Sequence, residues 1–421
     1  MKIKLLVIAG MCISTGAFAG GYRVALQGQS ALGMGHTGVA MTDSAEVVFF
    51  NPAGMSSLKM DSNFASGITL INSTTKYQNA TANIAAETNN PTGTPIYLYY
   101  SKRFDQNISY GLGVYTPFGN AVEWPKDWAG SHLVNNISLK TIFVQPTISY
   151  KINNMFSVGF GPTYINGQVE LNRNLSTDLK DANGDRSNVT IEASGITAWG
   201  LNAGILAKPT NSLSIGLNYR TRSDLNAKGG TADFENVPTN LPAETLAKTV
   251  DTKFDSELVL PAELTIGMSY AINSNTTIAA DINRTFWSAY ESLDLKFDTG
   301  SESIGPRNYN DANVYRIGIQ HKLNPNLTVR AGAYYDDTPI SSGYHTPETP
   351  RNDSKGLTAG ASFKMSKRMD IDFSFLYLMF AEFNGSYDHI RDDDPATPDA
   401  SFGGDYISSV TSFGFGLNYK Y

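Results

Sequence analysis

From about residue 60 to the C-terminus, apolar and polar residues alternate with a period of two, the signature of strands with one face in each environment. In the last stretch Phe413, Phe415, Leu417, Tyr419 and Tyr421 share one face, and Ser412, Gly414, Gly416, Asn418 and Lys420 share the other. Val329, Ala331, Ala333 and Tyr335 repeat the apolar face opposite Thr328, Arg330, Gly332 and Tyr334. Short polar turns fall at Asp105-Gln106-Asn107, Asn153-Asn154, Lys208 to Asn211, Asn273-Ser274-Asn275, Asn324-Pro325-Asn326 and Ser366-Lys367-Arg368. Between them lie stretches rich in Asn, Asp, Gly, Thr and Pro, at 76–94, 117–136, 172–190, 228–252, 292–308, 337–353 and 386–405. Seven long connections and six short turns predict about fourteen strands. Loops sorted by length onto two sides are what a transmembrane barrel shows, with tight periplasmic turns and longer extracellular loops. Hydrocarbon offers no water to free N–H and C=O groups, so the sheet has to close. The fold class expected for residues 61–421 is therefore all-β, a closed antiparallel transmembrane β-barrel of about fourteen strands.

The strand at 370–383 has an unusual second face. Phe373, Phe375, Tyr377 and Met379 form one side, while Leu376, Leu378 and Phe380 interrupt the polar side. An inward apolar patch suits either an apolar ligand in the lumen or packing against a plug, since burying such surface is worth about 25 cal/mol per Å².

The first residues change the picture by assigning a compartment. Lys2 and Lys4 precede an apolar run from Leu5 to Ser14, and Ala17-Phe18-Ala19 offers a small-x-small cleavage pattern. Residues 1–19 are thus expected to be a secretory signal peptide, with Gly20 opening the mature chain. Cys12 is the sole cysteine and lies in that segment, so the mature chain has no thiol chemistry and no disulfides. Losing Lys2 and Lys4 moves the formal charge from −7 to −9, a poor balance for nucleic-acid binding. No later segment reaches the length of a transmembrane helix. Residues 20–60 are punctuated by Gly28, Gly33, Gly35 and Gly38 and close on Asn51-Pro52-Ala53-Gly54. They are too few for a core of their own and are best placed inside the barrel, as a hatch.

At this point the chain resembles a known family, the FadL-type outer-membrane transporters of long-chain fatty acids and aromatic hydrocarbons. The resemblance starts at Gly20-Gly21-Tyr22, passes through Ala31-Leu32-Gly33 and the Asn51 to Met55 motif, and continues in Gly111 to Gly119 and Val144-Gln145-Pro146-Thr147. It goes on through Leu260-Pro261-Ala262-Glu263, Trp287, Tyr315-Arg316 and the block from Arg330 to Asp353. The family implies a fourteen-stranded barrel with an N-terminal hatch, monomeric, both termini periplasmic, in the outer membrane beside lipid and lipopolysaccharide. It implies ligand capture among extracellular loops, an internal pocket gated by the hatch, and sideways exit through a kinked strand. Tyr22 matches its aromatic residue beside the pocket, and Arg307 falls where it places a carboxylate-binding residue. A second family arginine has its counterpart about two positions away, in Arg173. The hatch residues carried over are Asn51, Pro52 and Ala53. For the exit, Pro117 lacks a ladder N–H, and Gly111 and Gly113 permit a bulge or kink; the gap is expected at the two glycines.

Other motifs carry less. Gly33-Met34-Gly35-His36-Thr37-Gly38 fits G-x-G-x-x-G but lacks the βαβ context of a dinucleotide site. Asp181, Asn183, Asp185, Ser187 and Glu192 have near EF-hand spacing, yet Arg186 stands where the turn requires Gly. Asp392-Asp393-Asp394 reads as a solvated charge run, or as a bridge to lipopolysaccharide through divalent ions. His36, His132, His321, His345 and His389 show no ligand pairing, and no G-x-S-x-G elbow occurs. The expected function is transport of hydrophobic compounds, without cofactor, metal or catalysis. A general porin or a structural, adhesive barrel is the alternative, predicting a polar lumen and no hatch; a lipolytic enzyme ranks third.

Overall fold

The period-two pattern becomes strand wherever one face can meet lipid and the other the lumen. The computed structural model describes residues 21–176, 179–390 and 399–421; the signal-peptide reading of 1–19 and the Asp392–Asp394 run lie outside them. Its wall has fourteen antiparallel strands. The first four are β1 (Ser62–Asn79), β2 (Ile84–Glu87 continuing as Ile96–Arg103), β3 (Ile108–Tyr115 continuing as Gly119–Glu123) and β4 (Asn136–Lys151). Next come β5 (Phe156–Asn174), β6 (Asn188–Ala207), β7 (Leu213–Arg220 with Ser223–Glu235), β8 (Thr252–Leu260 with Glu263–Ala271) and β9 (Thr276–Thr285, then Leu295–Phe297). β10 (Ala312–Asn324), β11 (Leu327–Asp336), β12 (Ser354–Lys364), β13 (Met369–Phe380 with Phe383–Ile390) and β14 (Ala400–Lys420) complete the circuit. β14 pairs with β1 from Asn63↔Lys420 to Gln78↔Asp405, which closes the barrel.

The outer face carries the apolar set. Phe160, Ile205, Ile266, Ile317, Leu357, Phe373 and Phe415 are exposed on the outside, a surface that only lipid would cover. The six short turns fall where the sequence placed them, but several strands rise beyond the expected loop boundaries. β5 to β8 continue past the Tyr164–Trp199 pair, whose rings touch edge-on at 5.2 Å. Above it the outward positions turn polar, as at Gln168, Glu170, Glu192 and Asn226, all exposed.

Residues 21–58 fill the lumen, and nearly all are buried. They form two single-turn helices, α1 (Gln29–Leu32) and α2 (Val47–Phe50), and a 3-10 turn over Pro52–Ser57. The Asn51 side chain caps that turn by accepting from the Ala53 N–H at 3.1 Å, with Pro52 in the first position, where its missing N–H costs nothing. Asn51 also donates to the wall at Ile205 O, 3.0 Å. Ala53 O accepts from the hydroxyls of Ser149 and Ser157 at 3.2 and 3.0 Å. Pro52 packs so tightly on β5 that a Cβ at Gly159 would come within 2.5 Å of it. The hatch motif thus fastens the plug to the wall with all three of its predicted residues.

The ladder on either side of β3 corrects the expected position of the gap. Gly111 pairs with Ser101 and Thr147, and Gly113 with Tyr99 and Gln145, so the sheet is continuous there. These glycines make room for the hatch instead: a Cβ at Gly111 would meet Met55 Sδ at 2.7 Å, and one at Gly113 would meet Val48 at 3.2 Å. The interruption lies higher, at Thr116–Phe118. Tyr97↔Tyr115 is the last rung between β2 and β3, and β3 resumes only with β4, at Gly119↔Lys140.

Candidate ligand cavity and wall gap

Above the hatch an apolar cavity with about 830 Å³ of space between atoms, its mouth included, opens between the plug and the raised wall of β4 to β8. Leu139 and Leu171 face Leu225, Phe254 and Leu258 across it because the inward phase of each strand stays apolar above the membrane. Tyr22 lines the cavity. Its ring meets Trp287 and Tyr290 edge-on, with centroids at 4.9 and 5.5 Å, and its hydroxyl donates to Val259 O.

Arg307 lines the same cavity and is buried. Its Nη2 donates to Glu348 Oε2 at 2.8 Å, and its Nη1 donates to Gly305 O at 3.1 Å. Burial alone would pull its pKa down, but Glu348 and the neighbouring tyrosines more than reverse this, so it is raised and the guanidinium stays charged. Arg173 stands beside this pair, donating to Ser303 Oγ at 3.2 Å and close enough to feel both Glu348 and Arg307. Leu376, Leu378 and Phe380 point inward as expected but lie elsewhere: they form a separate core with Val24, Leu26 and Leu32 of the hatch. Packing against the plug is therefore their observed role. Glu348 was missed by sequence reasoning; its only signal is a lone acid inside the Thr-Pro-Glu-Thr-Pro stretch of a long loop.

The start of the hatch covers the wall interruption. The Val24 N–H donates to Pro117 O at 2.7 Å, the Gly119 N–H donates to Tyr22 O at 2.9 Å, and Arg23 stands opposite Phe118. Three residues of plug thus act as a short extra strand on the free edge of β3. Pro117 has no N–H to return to Val24, so one bond of that pairing is missing by construction. Gln27 Nε2 adds a bond to Thr116 O at 2.9 Å.

Among the described residues no group of three or more His, Cys, Asp or Glu side chains could hold a metal ion. His321 sits at a short turn, against Thr276 Oγ1 at 2.9 Å, far from the cavity lining.

A closed lipid-facing barrel, filled by its own N-terminal segment beneath an apolar chamber, defines the class of plugged outer-membrane barrels. Within that class the chain belongs to the outer membrane protein transport protein family (OMPP1/FadL/TodX), whose pattern matches residues 10–421. It is 23% identical over 418 residues to Outer membrane protein P1 of Haemophilus influenzae, covering 89% of each chain. It is also 23% identical to the long-chain fatty acid transport protein of Escherichia coli O157:H7, covering 89% of this chain and 91% of that one. The fold is shared with a Pseudomonas aeruginosa FadL homologue, at a TM-score of 0.83, 18% identity, and 95% and 99% of the two chains covered. The Pseudomonas putida toluene transporter TodX gives 0.71 at 18% identity, with 93% and 97% covered.

Proposed function

We propose that this chain carries long-chain fatty acids or similar hydrophobic compounds across the outer membrane. The observation that carries the reading is the cavity itself: an apolar chamber closed below by a plug residue, Tyr22, with Arg307 and Glu348 as the charged groups of its lining. Each CH₂ brought out of water there is worth about 0.8 kcal/mol, so a long chain is held by its length. Extracellular loops first collect the ligand, the cavity holds it, and displacement of Tyr22–Val24 uncovers the break at Thr116–Phe118. The ligand then leaves sideways, into lipid. The barrel works as a monomer among outer-membrane lipid and lipopolysaccharide and catalyses nothing.

One observation favours a second ligand class. Arg307 is already neutralised by Glu348 at 2.8 Å, which lowers the reward for a carboxylate and suits an uncharged aromatic hydrocarbon. A strain lacking the gene, grown on oleate or on toluene as sole carbon source, separates the two. Growth on both at the parental rate would remove the transport reading.

A further inference from the structure

Directly below the cavity, on the other side of the Tyr22–Ala25 strand, lies a second chamber with about 430 Å³ of space between atoms. Its lining is of opposite character, with Arg23, Arg220, Glu263, Asp281 and Arg316 gathered behind Pro117. Most of these charges are spoken for. Arg23 pairs with Glu263 at 3.1 Å and with Asp336 at 3.3 Å, and Arg220 pairs with Glu263 at 3.0 Å. Asp281 Oδ2 accepts from the hatch N–H groups of Gly38 and Val39 at 2.8 and 3.2 Å.

Arg316 differs. It is 7% exposed and, among the described residues, makes no hydrogen bond and no ion pair within 4.0 Å. Its register neighbour Asp281 turns its Oδ1 instead toward Gly267, where a Cβ would stand 2.0 Å away. Asp281 Oδ1 and Asp336 Oδ1 are likewise without a partner. A buried guanidinium with nothing to donate to is costly, and it faces space rather than packed atoms. The chamber asks for a small polar guest that accepts from Arg316.

We propose that Arg316 is a second headgroup site, which receives the carboxylate of an amphiphilic ligand while its tail passes the wall gap. This rests on the fatty-acid reading above. The lining sets Arg23, Arg220 and Arg316 against Glu263 and Asp281, and Asp336, outside the lining, balances the third charge through its pair with Arg23. A dianion such as a phosphate monoester would therefore overload it, whereas one carboxylate is tolerated. The two chambers share the Tyr22–Ala25 strand as their partition, and Pro117, at the gap, lines the lower one. When that strand lifts, the headgroup moves from Arg307 down to Arg316 and the chain already lies against the opening.

The test compares uptake of oleate with uptake of methyl oleate by whole cells, the intact protein being expressed as wild type, Arg316→Gln, Arg316→Lys or Asp281→Asn. The oleate-to-ester ratio is expected to fall roughly tenfold in Arg316→Gln, the loss of a charge-assisted hydrogen bond. Lysine is expected to restore most of it. Asp281→Asn, which removes a competing acid, raises the ratio and keeps the question open to test even if Arg316→Gln assembles poorly. A ratio unchanged in every variant means that the chamber holds only water, and overturns the proposal. An equal fall for both compounds means a structural arginine and overturns it too. A wild-type protein that moves neither compound overturns the transport reading itself.

Discussion

At the scale of single residues, the cavity turns on one ion pair. Arg307 and Glu348 are both buried, and removing one partner of such a pair leaves the other charge uncompensated, at a cost of about 3–5 kcal/mol. A ligand carboxylate can take over the vacated role. Glu348→Gln is therefore expected to tighten oleate binding about tenfold and leave methyl oleate nearly unchanged. Displacement of a fluorescent fatty acid from purified protein reads both. Equal affinities before and after would show that the headgroup never meets Arg307. Tyr22 and Arg307 were legible in the sequence through family position, and both line the same cavity. Glu348 and the lower chamber were not legible. Their residues come from β7 to β11, a long loop and the hatch, and only closure of the barrel brings them together.

At the scale of elements, the joint between hatch and β3 sets how easily the wall opens. Pro117 accepts from Val24 but has no N–H to give back. Pro117→Ala supplies that donor and completes the pairing, worth roughly 1 kcal/mol net. Uptake is expected to slow several-fold while equilibrium binding stays as it was, and a parental uptake rate would mean that this joint does not open during transport. The glycines make a different prediction. A Cβ at Gly332 would sit 2.1 Å from the Gly35 nitrogen, and Gly35 itself has φ +66°, so neither backbone can give way cheaply. Gly332→Val is expected to lift the hatch off β11 and raise sensitivity to small polar antibiotics, as scored by inhibition zones; unaltered zones would argue against it. The strand count and all six short turns were readable because alternation and turn chemistry are local signals. Loop boundaries were not. Above the Tyr164–Trp199 level the outer face meets water, so Lys228, Thr231, Asp233 and Glu235 look like loop residues although they belong to β7. The gap was misplaced for a related reason: the close approach that demands glycine at 111 and 113 is to the hatch, which no local pattern along β3 reveals.

At the scale of the whole molecule, wall and plug are held together by different forces. The wall closes through a continuous backbone ladder, with β1 and β14 paired from Asn63 to Gln78. The plug is held mostly by side chains and by fit, beside the short backbone pairing of Tyr22–Val24 with β3: Asn51 and Ala53 on one side, Asp281 and Arg23 on another, and the Val24, Leu26 and Leu32 contact with Leu376 and Leu378 on a third. No rung of the β1–β14 closure passes through residues 22–58. Deleting residues 22–58 while keeping residues 1–21 is thus expected to leave a barrel that still assembles and still migrates as a folded species on unheated gels. It should unfold at a lower temperature, because the core around Leu376 and Leu378 is left open to water. The lumen, emptied of its plug, then becomes a water-filled pore of the kind porins present. Proteoliposomes carrying the deleted form are expected to swell in arabinose or raffinose, whereas those carrying the full chain do not. Equal swelling by both forms would mean that the hatch does not seal the barrel, and the gated reading of Tyr22–Val24 would fall with it.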